Sequence, residues 1–343
     1  MDGQKTRRSL IVVTFAINGL GRIGKLALRF LLENGNKIAF LNDKNGTPEM
    51  LSHLLEFDTV HGRWLAKFEW NDKSITINDV CLPVYKIASL ENLPLKGVDV
   101  VLDCTGVQKS EAALEPYFAA GVRKVIVSAP VKDGATANIV YGVNNYAYDP
   151  HEHKIVTAAS CTTNCLAPIV KVIHENLGIR HGSITTIHAV TNTQTLVDRP
   201  ENDLRRSRSA LNALIPTTTG SATAITLIYP ELTGKLNGHA VRVPILNASL
   251  TDCVFEVEKN TNTKEVNAFL ETAAKGELTG ILGYQKKPVV SSDYVNDSRS
   301  SIIDAPSTMV VNNTQVKIYA WYDNEWGYAH RLVDIANMIK RFL

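Results

Sequence analysis

The sequence predicts an α/β protein whose two halves differ in the pattern of their strands. In the first half, short β-branched apolar runs alternate with segments of helical periodicity, which is typical of a doubly wound parallel sheet. In the second half, apolar and polar residues alternate along longer runs, which favours a mostly antiparallel sheet in an α+β domain. With 343 residues, 45% hydrophobic and 20% charged, the chain has the size and composition of two globular domains.

A glycine motif follows the first predicted strand, residues 11–17. The segment Asn18-Gly19-Leu20-Gly21-Arg22-Ile23-Gly24 matches G-x-G-x-x-G and leads into a helical stretch. Such glycines permit a tight turn, a close approach of the backbone to a pyrophosphate, and helix-on-strand packing. A second strand, 37–41, ends at Asp43, about 20 residues further on, where an acid that binds the ribose hydroxyls of NAD belongs. We therefore predict a Rossmann-type domain that binds NAD through Gly19, Gly21, Gly24 and Asp43, rather than a merely solvated aspartate.

Two further buried strands are predicted in this half, at residues 98–104 and 124–130, with a helix at about 110–120 between them. Cofactor-facing groups lie at the carboxyl ends of such strands, so Thr105, Gly106 and Ser128 are candidate cofactor ligands. Each of the three also suits ordinary turn chemistry. Residues 44–96 are less regular, with a short amphipathic helix at 51–55 and hairpin strands around 74–85.

A cysteine lies where the predicted strand 154–159 meets a helix, in the stretch Ser160-Cys161-Thr162-Thr163-Asn164-Cys165. In the first turn of that helix, unpaired N–H groups and the helix dipole favour a thiolate, so we expect a lowered pKa for Cys161. A thiolate is a nucleophile, and Cys161 is therefore a candidate catalytic residue. The alternative is a small buried packing residue, which is our interpretation of Cys165.

The second half begins with an alternating strand at 182–191 and a long polar segment at 192–216. Residues Thr217 to Ser221 then open a further helix. Further strands are predicted at 240–244, 248–257 and 316–322, and a final helix with one apolar face runs from 328 to 342.

The bulk composition excludes several classes of protein. The chain has 36 Lys and Arg against 34 Asp and Glu, so no overall field favours nucleic acid or an anionic membrane. Its five cysteines show no zinc-site spacing, which predicts a reducing, cytoplasmic setting and no metal site. The basic residues within 1–10 precede an apolar run without a cleavage pattern, so we interpret them as a polar extension rather than a secretory signal.

Four motifs together identify a family resemblance: Asn18 to Gly24, Ser160 to Cys165, Thr217 to Gly220, and Trp321-Tyr322-Asp323-Asn324-Glu325-Trp326-Gly327-Tyr328. With them the chain closely resembles phosphorylating glyceraldehyde-3-phosphate dehydrogenase over residues 11–343. The cysteine stretch is highly specific to that family and its close relatives, whereas the glycine motif is not. The resemblance implies an NAD-binding domain, 11–160, completed by a C-terminal helix, 324–343, and a catalytic domain, 161–323. It also implies a homotetramer in which the segment 192–216 reaches a neighbouring subunit.

The resemblance assigns covalent chemistry to Cys161 and His188. Cys161 attacks the aldehyde of glyceraldehyde 3-phosphate, and His188 takes the proton and then activates inorganic phosphate. The residue types agree with this assignment, because a cysteine beside a histidine base forms a thiolate near neutral pH. The alternative for His188 is a hydrogen-bonded structural histidine.

The remaining site residues are also implied by the resemblance. Thr191 and Arg242 map to the site of the substrate phosphate. Four residues map to the incoming phosphate: Ser160, Thr162, Thr219 and Gly220. Arg208 is placed near both phosphates, whereas Arg205 and Arg206 are assigned to surface or intersubunit ion pairs. For the cofactor, the backbone at Arg22 and Ile23 lies beside the pyrophosphate and Asn324 binds the nicotinamide carboxamide.

Two features refine the resemblance. Arg199 stands where NAD-specific members often carry an apolar residue, and its guanidinium tolerates the 2′-phosphate of NADP. The carboxylate of Asp43 opposes that phosphate, so we expect a preference for NAD. The segments 188–195, 217–224 and 293–297 also resemble a branch associated with bacterial arsenic-resistance clusters. In that branch arsenate replaces phosphate as acyl acceptor and yields 1-arseno-3-phosphoglycerate for export.

Two alternative functions are kept open. An erythrose-4-phosphate dehydrogenase is a relative that releases its acid by hydrolysis, but Thr191, Thr219, Gly220, Arg208 and Arg242 favour the phosphorylating activity. A non-catalytic NAD-binding or nucleic-acid-binding module gains no support from a net charge of +2. Such a module also has no need of Cys161 with His188.

Overall fold

Two large sheets organise the computed structural model, which describes residues 12–131 and 133–343. The predicted polar extension, residues 1–10, lies outside the described residues. The elements up to residue 160 are β1 (Thr14–Asn18), α1 (Arg22–Glu33), β2 (Lys37–Asn42), α2 (Pro48–Glu56), β3 (Phe57–Asp58), β4 (Gly62–Arg63), β5 (Phe68–Asn71), β6 (Ser74–Ile77), β7 (Val80–Tyr85), β8 (Val100–Asp103), α3 (Glu111–Ala119), β9 (Lys124–Val127), β10 (Thr136–Asn138) and β11 (Ile155–Thr157).

The elements that follow are α4 (Cys161–Leu177), β12 (Ile179–Ala189), β13 (Ile215–Thr218), α5 (Ser221–Ile225), β14 (Leu236–Val243), β15 (Ser249–Val257), α6 (Thr263–Lys275), β16 (Leu282–Gln285), β17 (Ser301–Asp304), β18 (Met309–Val311), β19 (Gln315–Tyr322) and α7 (Trp326–Lys340). Within the described ranges, no helix is long and apolar enough to cross a membrane.

The first sheet has the strand order β10-β11-β9-β8-β1-β2-β7-β6-β5. Its strands are parallel from β10 to β7, and the hairpin strands β6 and β5 continue it in antiparallel pairing. From β1 the chain proceeds first to β2 on one side and later to β8 on the other. This reversal makes a crevice at the carboxyl ends of β1 and β8, where such sheets bind ligands. The predicted doubly wound sheet is confirmed.

The second sheet has the order β13-β14-β12-β15-β19-β17-β16, with β18 also paired to β19. Most neighbours are antiparallel, as predicted, but β12 is parallel to β14 and β16 to β17. The alternating burial of β15 and β19 explains why their sequences were readable as half-buried strands.

The C-terminal helix α7 packs on α1 beneath the first sheet. Phe30 of α1 meets the Trp326 ring edge-on at 4.8 Å and stacks on His330 at 3.8 Å. Leu332 and Ile339 of α7 belong to the same buried cluster as the strands β1 and β2. The end of the chain thus returns to the cofactor side and brings Asn324, just before α7, toward the crevice.

Candidate active site

The turn between β11 and α4 places Cys161 at the first position of a helix. Ser160 is the N-cap, and its Oγ accepts a hydrogen bond from the Thr163 N–H at 3.1 Å. Ala159 before it has a φ of 52°, in the left-handed region that residues with a Cβ rarely adopt. Asn164 holds this strained turn, because its Nδ2 donates to the carbonyls of Ala158 at 2.7 Å and Ser160 at 2.9 Å.

Strand pairing brings His188 to the cysteine. His188 lies near the end of β12, which runs back beside α4, and its Nε2 is 3.5 Å from the Sγ of Cys161. The parallel register of β12 and β14 sets Arg242 directly beside His188. The structure therefore brings together the two predicted catalytic residues and one predicted phosphate ligand.

Arg242 and a backbone carbonyl both contact the far nitrogen of His188. The Nδ1 atom lies 2.7 Å from Arg242 Nη1 and 2.7 Å from the Ala189 oxygen, and Arg242 Nη1 also donates to that oxygen at 2.9 Å. Arg242 can only donate and the carbonyl can only accept, so a single tautomer makes one of these two contacts to Nδ1 a hydrogen bond and not the other. When Nδ1 carries the proton and donates to Ala189, Nε2 is left as an acceptor facing the thiol. That tautomer makes His188 a base toward Cys161.

Desolvation opposes charge on both catalytic groups. Burial raises the pKa of the Cys161 thiol, and this outweighs the lowering by Arg242 and by hydrogen bonds from Thr162. Burial, with the charge of Arg242, lowers the pKa of His188 to about 3. This direction is opposite to the lowering that the helix terminus alone predicted, although the Cys161 side chain is only partly buried by its surface exposure. Proton transfer from Sγ to Nε2 creates opposite charges in contact, so the two groups titrate as a pair.

A chain of hydroxyl groups connects the starts of α4 and α5. Ser160 Oγ lies 3.3 Å from Ser221 Oγ, and Thr219 Oγ1 donates to Ser221 at 3.1 Å. A Cβ added to Gly220 would meet no atom within 4 Å, so open space adjoins this chain. The predicted anion ligands Ser160, Thr219 and Gly220 thus lie close together, and Ser221 joins them.

The Thr162 side chain faces away from that space. Its Oγ1 lies 2.9 Å from the hydroxyl of buried Tyr322, which also contacts Thr186 at 2.8 Å. The expected contribution of the Thr162 hydroxyl to phosphate binding does not agree with this geometry. Its backbone N–H, in the first turn of α4, has no partner within that helix and stays suited to an anion.

Two arginines of the predicted polar segment 192–216 have different surroundings. Arg208 is exposed and pairs with Asp198 at 2.7 Å. Arg206 instead donates through Nε to Thr217 of β13 at 3.0 Å. The pKa of Arg242 is lowered mainly by burial, and the charge of Arg206 adds to that lowering. Arg206, expected in a surface or intersubunit ion pair, does pair with Asp203 at 3.5 Å but is half-buried against β13, whereas Arg208, expected near both phosphates, is exposed.

Thr191, the other predicted ligand of the substrate phosphate, follows β12 by two residues. Its hydroxyl lies 2.9 Å from that of Thr193 and 3.2 Å from Gln194 Oε1. Arg242 Nε is buried and has no hydrogen-bond partner among the described residues. An orphaned guanidinium nitrogen of this kind suits an incoming anion.

The glycine turn after β1 is shaped by close backbone approach. Gly19 has a φ of 93°, and a Cβ there would lie 2.7 Å from the Cys104 carbonyl carbon. A Cβ on Gly24 would lie 1.9 Å from the Gly19 oxygen, whereas one on Gly21 would enter open space. The first and last glycines therefore serve packing, and Gly21 leaves room before the N-terminal turn of α1, where the backbone N–H groups of Arg22 and Ile23 lie.

Two polar side chains predicted to bind the cofactor, those of Asp43 and Thr105, are held by hydrogen bonds to neighbouring residues. Asp43 accepts from the Leu20 N–H at 3.0 Å, so it lies beside the glycine turn. Thr105 donates to Asp103 at 2.6 Å, ahead of Gly106, which has a φ of 69°.

Asn324 and Ser128 complete the set. Ser249 donates to Asn324 Oδ1 at 2.9 Å, which leaves the Asn324 amide N–H₂ to donate to a ligand. Ser128 lies on the neighbouring strand end, where its N–H donates to the Asp103 carbonyl. A carboxylate for a ribose diol, N–H groups for a pyrophosphate and an amide donor for a carboxamide are the groups that NAD requires, so the residues fit this cofactor.

Sequence reasoning gave no role in the site to four residues that hold it in place: Asn164, Ser221, Ser249 and Tyr322. Asn164 lies within the cysteine motif, so its local role was accessible. Ser221 and Tyr322 lie within stretches that the sequence analysis singled out, but their contacts, like that of Ser249, arise only from tertiary structure.

Comparison with known proteins gives one family for both halves. Residues 13–111 match the family described as glyceraldehyde 3-phosphate dehydrogenase, NAD binding domain, and residues 160–324 match its C-terminal domain. Glyceraldehyde-3-phosphate dehydrogenase 3 of Nostoc sp. is 57% identical over 95% of this chain and 98% of its own length. The Geobacillus stearothermophilus enzyme is 47% identical over 96% and 98%, and glyceraldehyde-3-phosphate dehydrogenase 1 of Bacillus cereus is 47% identical over 93% and 96%. With matches to both domains and this identity over nearly its whole length, the chain belongs to the glyceraldehyde-3-phosphate dehydrogenase family of NAD-dependent oxidoreductases.

Proposed function

We propose that the chain catalyses the NAD-dependent, phosphorylating oxidation of glyceraldehyde 3-phosphate to 1,3-bisphosphoglycerate. The observation that carries this proposal is the 3.5 Å contact between Cys161 Sγ and His188 Nε2 at the start of α4. A nucleophile beside a base, with anion donors on two sides, is what acyl transfer through a thioester requires.

The first step uses both catalytic residues. Cys161 Sγ bonds to the aldehyde carbon while its proton passes through His188 Nε2 to the carbonyl oxygen, which gives a thiohemiacetal. His188 then takes back the hydroxyl proton as the carbon is oxidised. When bound, NAD accepts the hydride from that carbon at its nicotinamide ring. The product on the chain is a Cys161 thioester.

The second step needs an oxyanion held against the thioester. The hydroxyls of Ser160 and Thr219, the Gly220 backbone and the Arg206 guanidinium are proposed to hold inorganic phosphate, while Thr191 and Arg242 hold the substrate phosphate. A phosphate oxygen bonds to the acyl carbon, and the C–S bond breaks to return the Cys161 thiolate. Once His188 has released to solvent the proton that it took in the first step, its Nε2, 3.5 Å from Cys161 Sγ, is proposed to accept a proton from the attacking phosphate.

We further propose that arsenate serves as an acyl acceptor at the same place. Hydroxyls and guanidinium groups recognise a tetrahedral oxyanion by charge and hydrogen bonds, and arsenate closely matches phosphate in both. The product is then 1-arseno-3-phosphoglycerate. Erythrose 4-phosphate is the alternative aldehyde, with hydrolysis in place of acyl transfer.

One steady-state experiment separates these activities. Glyceraldehyde 3-phosphate or erythrose 4-phosphate is supplied with NAD and either phosphate, arsenate or neither. Turnover of glyceraldehyde 3-phosphate that requires an oxyanion supports the proposal. A much higher kcat/KM with phosphate than with arsenate contradicts the proposed use of arsenate. Unchanged turnover in Cys161→Ser, or faster oxidation of erythrose 4-phosphate without an oxyanion, contradicts the thioester transfer proposed for this chain.

A preference for NAD over NADP is part of the proposal. Asp43 puts a carboxylate where a 2′-phosphate would lie, and exposed Arg199 pairs with Glu201 at 2.6 Å, which compensates its charge. A higher kcat/KM with NADP than with NAD contradicts this preference.

A homotetramer is proposed from the surface of the 192–214 segment. Several of its apolar side chains are largely exposed: Leu196, Val197, Leu204, Leu211 and Leu214. Apolar side chains grouped in this way favour a second copy of the chain as their cover. Light scattering coupled to size exclusion measures the assembly, and a monomer at micromolar concentration contradicts it.

A further inference from the structure

A partly buried cluster of charged residues joins separate segments of the chain beside the glycine turn. Arg22, the first residue of α1, donates through Nε to both carboxylate oxygens of Glu325, at 3.1 and 3.0 Å. Its Nη1 and Nη2 donate to Asp58 at 2.5 and 2.9 Å. Since Glu325 directly follows Asn324, the Arg22 side chain connects the turn expected at the pyrophosphate with the residue expected at the nicotinamide.

His61 completes this cluster from the turn between β3 and β4, with a side chain only 1% exposed. Its Nε2 lies 2.9 Å from Glu325 Oε2, and its Nδ1 lies 2.6 Å from Asn296 Oδ1. Asn296 Nδ2 donates to the carbonyl oxygen of His61 itself at 3.3 Å. A flipped amide would set two oxygens against each other, so this contact fixes Oδ1 as the atom that faces the ring.

Both ring nitrogens of His61 thus face groups that only accept hydrogen bonds. Glu325 is an ionised carboxylate because Arg22 pairs with it, and an amide oxygen has no proton to give. A neutral imidazole carries one N–H and leaves one of these contacts as a repulsion between lone pairs. The geometry therefore requires the doubly protonated ring. The Trp326 ring, 5.2 Å away, adds an aromatic neighbour favourable to a cation.

The charges around His61 balance only when it is protonated. Arg22 and Lys25 face the cluster from α1, Asp58 from its own turn, and Asp323 and Glu325 from the segment before α7. On the Asn296 loop, Asp297 is paired with Arg299 at 2.5 Å. Burial opposes the charge on His61, but hydrogen bonds with Glu325 and Asn296 and the charge of Asp323 hold its pKa above the ordinary value.

We propose that His61 is a positioning residue that acts as a buried imidazolium, holding Glu325, and through it Arg22 and Asn324, in the arrangement that binds NAD. The inference rests on the proposed NAD-dependent function. Loss of the proton leaves the cluster with an excess of negative charge and an unpaired acceptor, so NAD binding weakens as the pH rises through the pKa of folded His61. By linkage, bound NAD makes His61 hold its proton more tightly.

Calorimetric titration of NAD into the purified full chain at a series of pH values tests this. For the unaltered chain we expect the NAD Kd to rise about tenfold toward alkaline pH, which is the change that a linked shift of one pKa unit produces. His61→Gln can donate to one acceptor only, so we expect its Kd to be raised at neutral pH and to depend little on pH. Equal affinity and an equal pH profile in His61→Gln overturn the proposal.

His174 offers a matched control. It also contacts a carboxylate, Glu231, at 3.2 Å, but its Nδ1 accepts from the Ile179 N–H at 3.0 Å, so a neutral ring satisfies both contacts. His174→Gln should bind NAD with unchanged Kd and pH dependence. An equal loss of NAD affinity in both variants shows that replacing any histidine paired with a carboxylate has this effect, and it overturns the proposal.

A second measurement does not depend on NAD. In the NAD-free chain with ¹⁵N-labelled histidine, the ring signals of His61, assigned with His61→Gln, should show both nitrogens protonated at neutral pH; a neutral ring overturns the proposal. If the unaltered chain binds no NAD, the proposed function fails while this signal still decides the state of His61. Should His61→Gln not fold, Asn296→Asp provides a second variant, because it sets a carboxylate against Nδ1 of His61. We expect this variant to lose NAD affinity at a higher pH than the unaltered chain. A loss of affinity at lower pH contradicts the role of His61.

Discussion

Removal of one buried hydroxyl, in Tyr117→Phe, tests how the floor of the cofactor crevice is held. The Tyr117 hydroxyl donates to Asp103 Oδ2 at 2.8 Å and accepts from Asn18 Nδ2 at 2.6 Å, and Asp103 is fully buried. Asn18 in turn accepts from Asn42 at 2.7 Å. These side chains cross the carboxyl ends of β8, β1 and β2, so the hydroxyl joins three strands of the crevice.

The magnitude follows from what the variant leaves unpaired. A buried polar group without its partner costs about 1–3 kcal/mol, and more when it is charged. Tyr117→Phe removes a donor from a carboxylate and an acceptor from an amide, but Asn18 lies near enough to Asp103 to replace part of the loss. We therefore expect the free energy of unfolding to fall by about 2–4 kcal/mol.

The pH dependence provides a second signature. Burial raises the pKa of Asp103 above its ordinary value of 3.8, and hydrogen bonds from Thr105 and Tyr117 offset only part of that rise. A carboxyl with a raised folded pKa loses stability as the pH rises from its unfolded pKa through its folded pKa. Without the hydroxyl the folded pKa rises further, so the deficit of Tyr117→Phe should be larger at neutral pH than near pH 4.

Urea unfolding of the NAD-free chain at fixed protein concentration measures both effects as a shift of midpoint. Tyr229→Phe is the matched control, because the Tyr229 hydroxyl donates at 2.9 Å to the exposed carboxylate of Glu175, which water can satisfy. An unchanged midpoint in Tyr117→Phe, or a deficit that grows toward acid pH, refutes the reasoning. A control that loses as much stability as Tyr117→Phe also refutes it.

Three further predictions concern the catalytic side. Arg206→Ala should raise the KM for the phosphate-bearing substrate or for inorganic phosphate by about tenfold or more, as expected for loss of a charged hydrogen bond. Arg208→Ala should change neither KM much. A larger effect in Arg208→Ala than in Arg206→Ala supports instead the expectation that Arg208 lies near the phosphates. His188→Gln should lower kcat by about 10²–10⁴ and slow alkylation of Cys161 by iodoacetamide, and equal alkylation rates count against the paired proton transfer. Asn164→Ala removes the hydrogen bonds to two carbonyls of the strained turn. We expect its free energy of unfolding to fall by about 2–4 kcal/mol and Cys161 to be alkylated more slowly. A variant in which Cys161 is alkylated at the normal rate shows that the turn does not depend on this side chain.

Local patterns were sufficient for the elements that adjoin the site. The strands before Gly19 and Cys161, the helices after them and the alternating strand that carries His188 were all predictable, because a turn motif and a periodicity of burial are both short-range features. The helix α6 and the strands β16, β17 and β18 were not predicted, although α6 has an Asn262 N-cap and an apolar face. Residues Thr217 and Thr218, predicted to open a helix, belong to β13, and α5 begins only at Ser221. Pairing with β14 decides this, which no local pattern reveals.

The charges and hydrogen bonds around the site were the least predictable part, and Arg22 shows the physical reason. Its position in the glycine motif predicts a role for its backbone N–H, which lies in the first turn of α1, and nothing in the structure opposes that role. Its side chain leaves the helix in another direction and pairs with Glu325, more than 300 residues further along the chain. A motif fixes backbone geometry because that geometry depends on adjacent residues, whereas the partner of a side chain depends on which distant segment the fold brings within hydrogen-bond reach. The same distinction separates Cys161, whose place at a helix start was predictable, from its pKa, which depends on a depth of burial that only the packed sheets create.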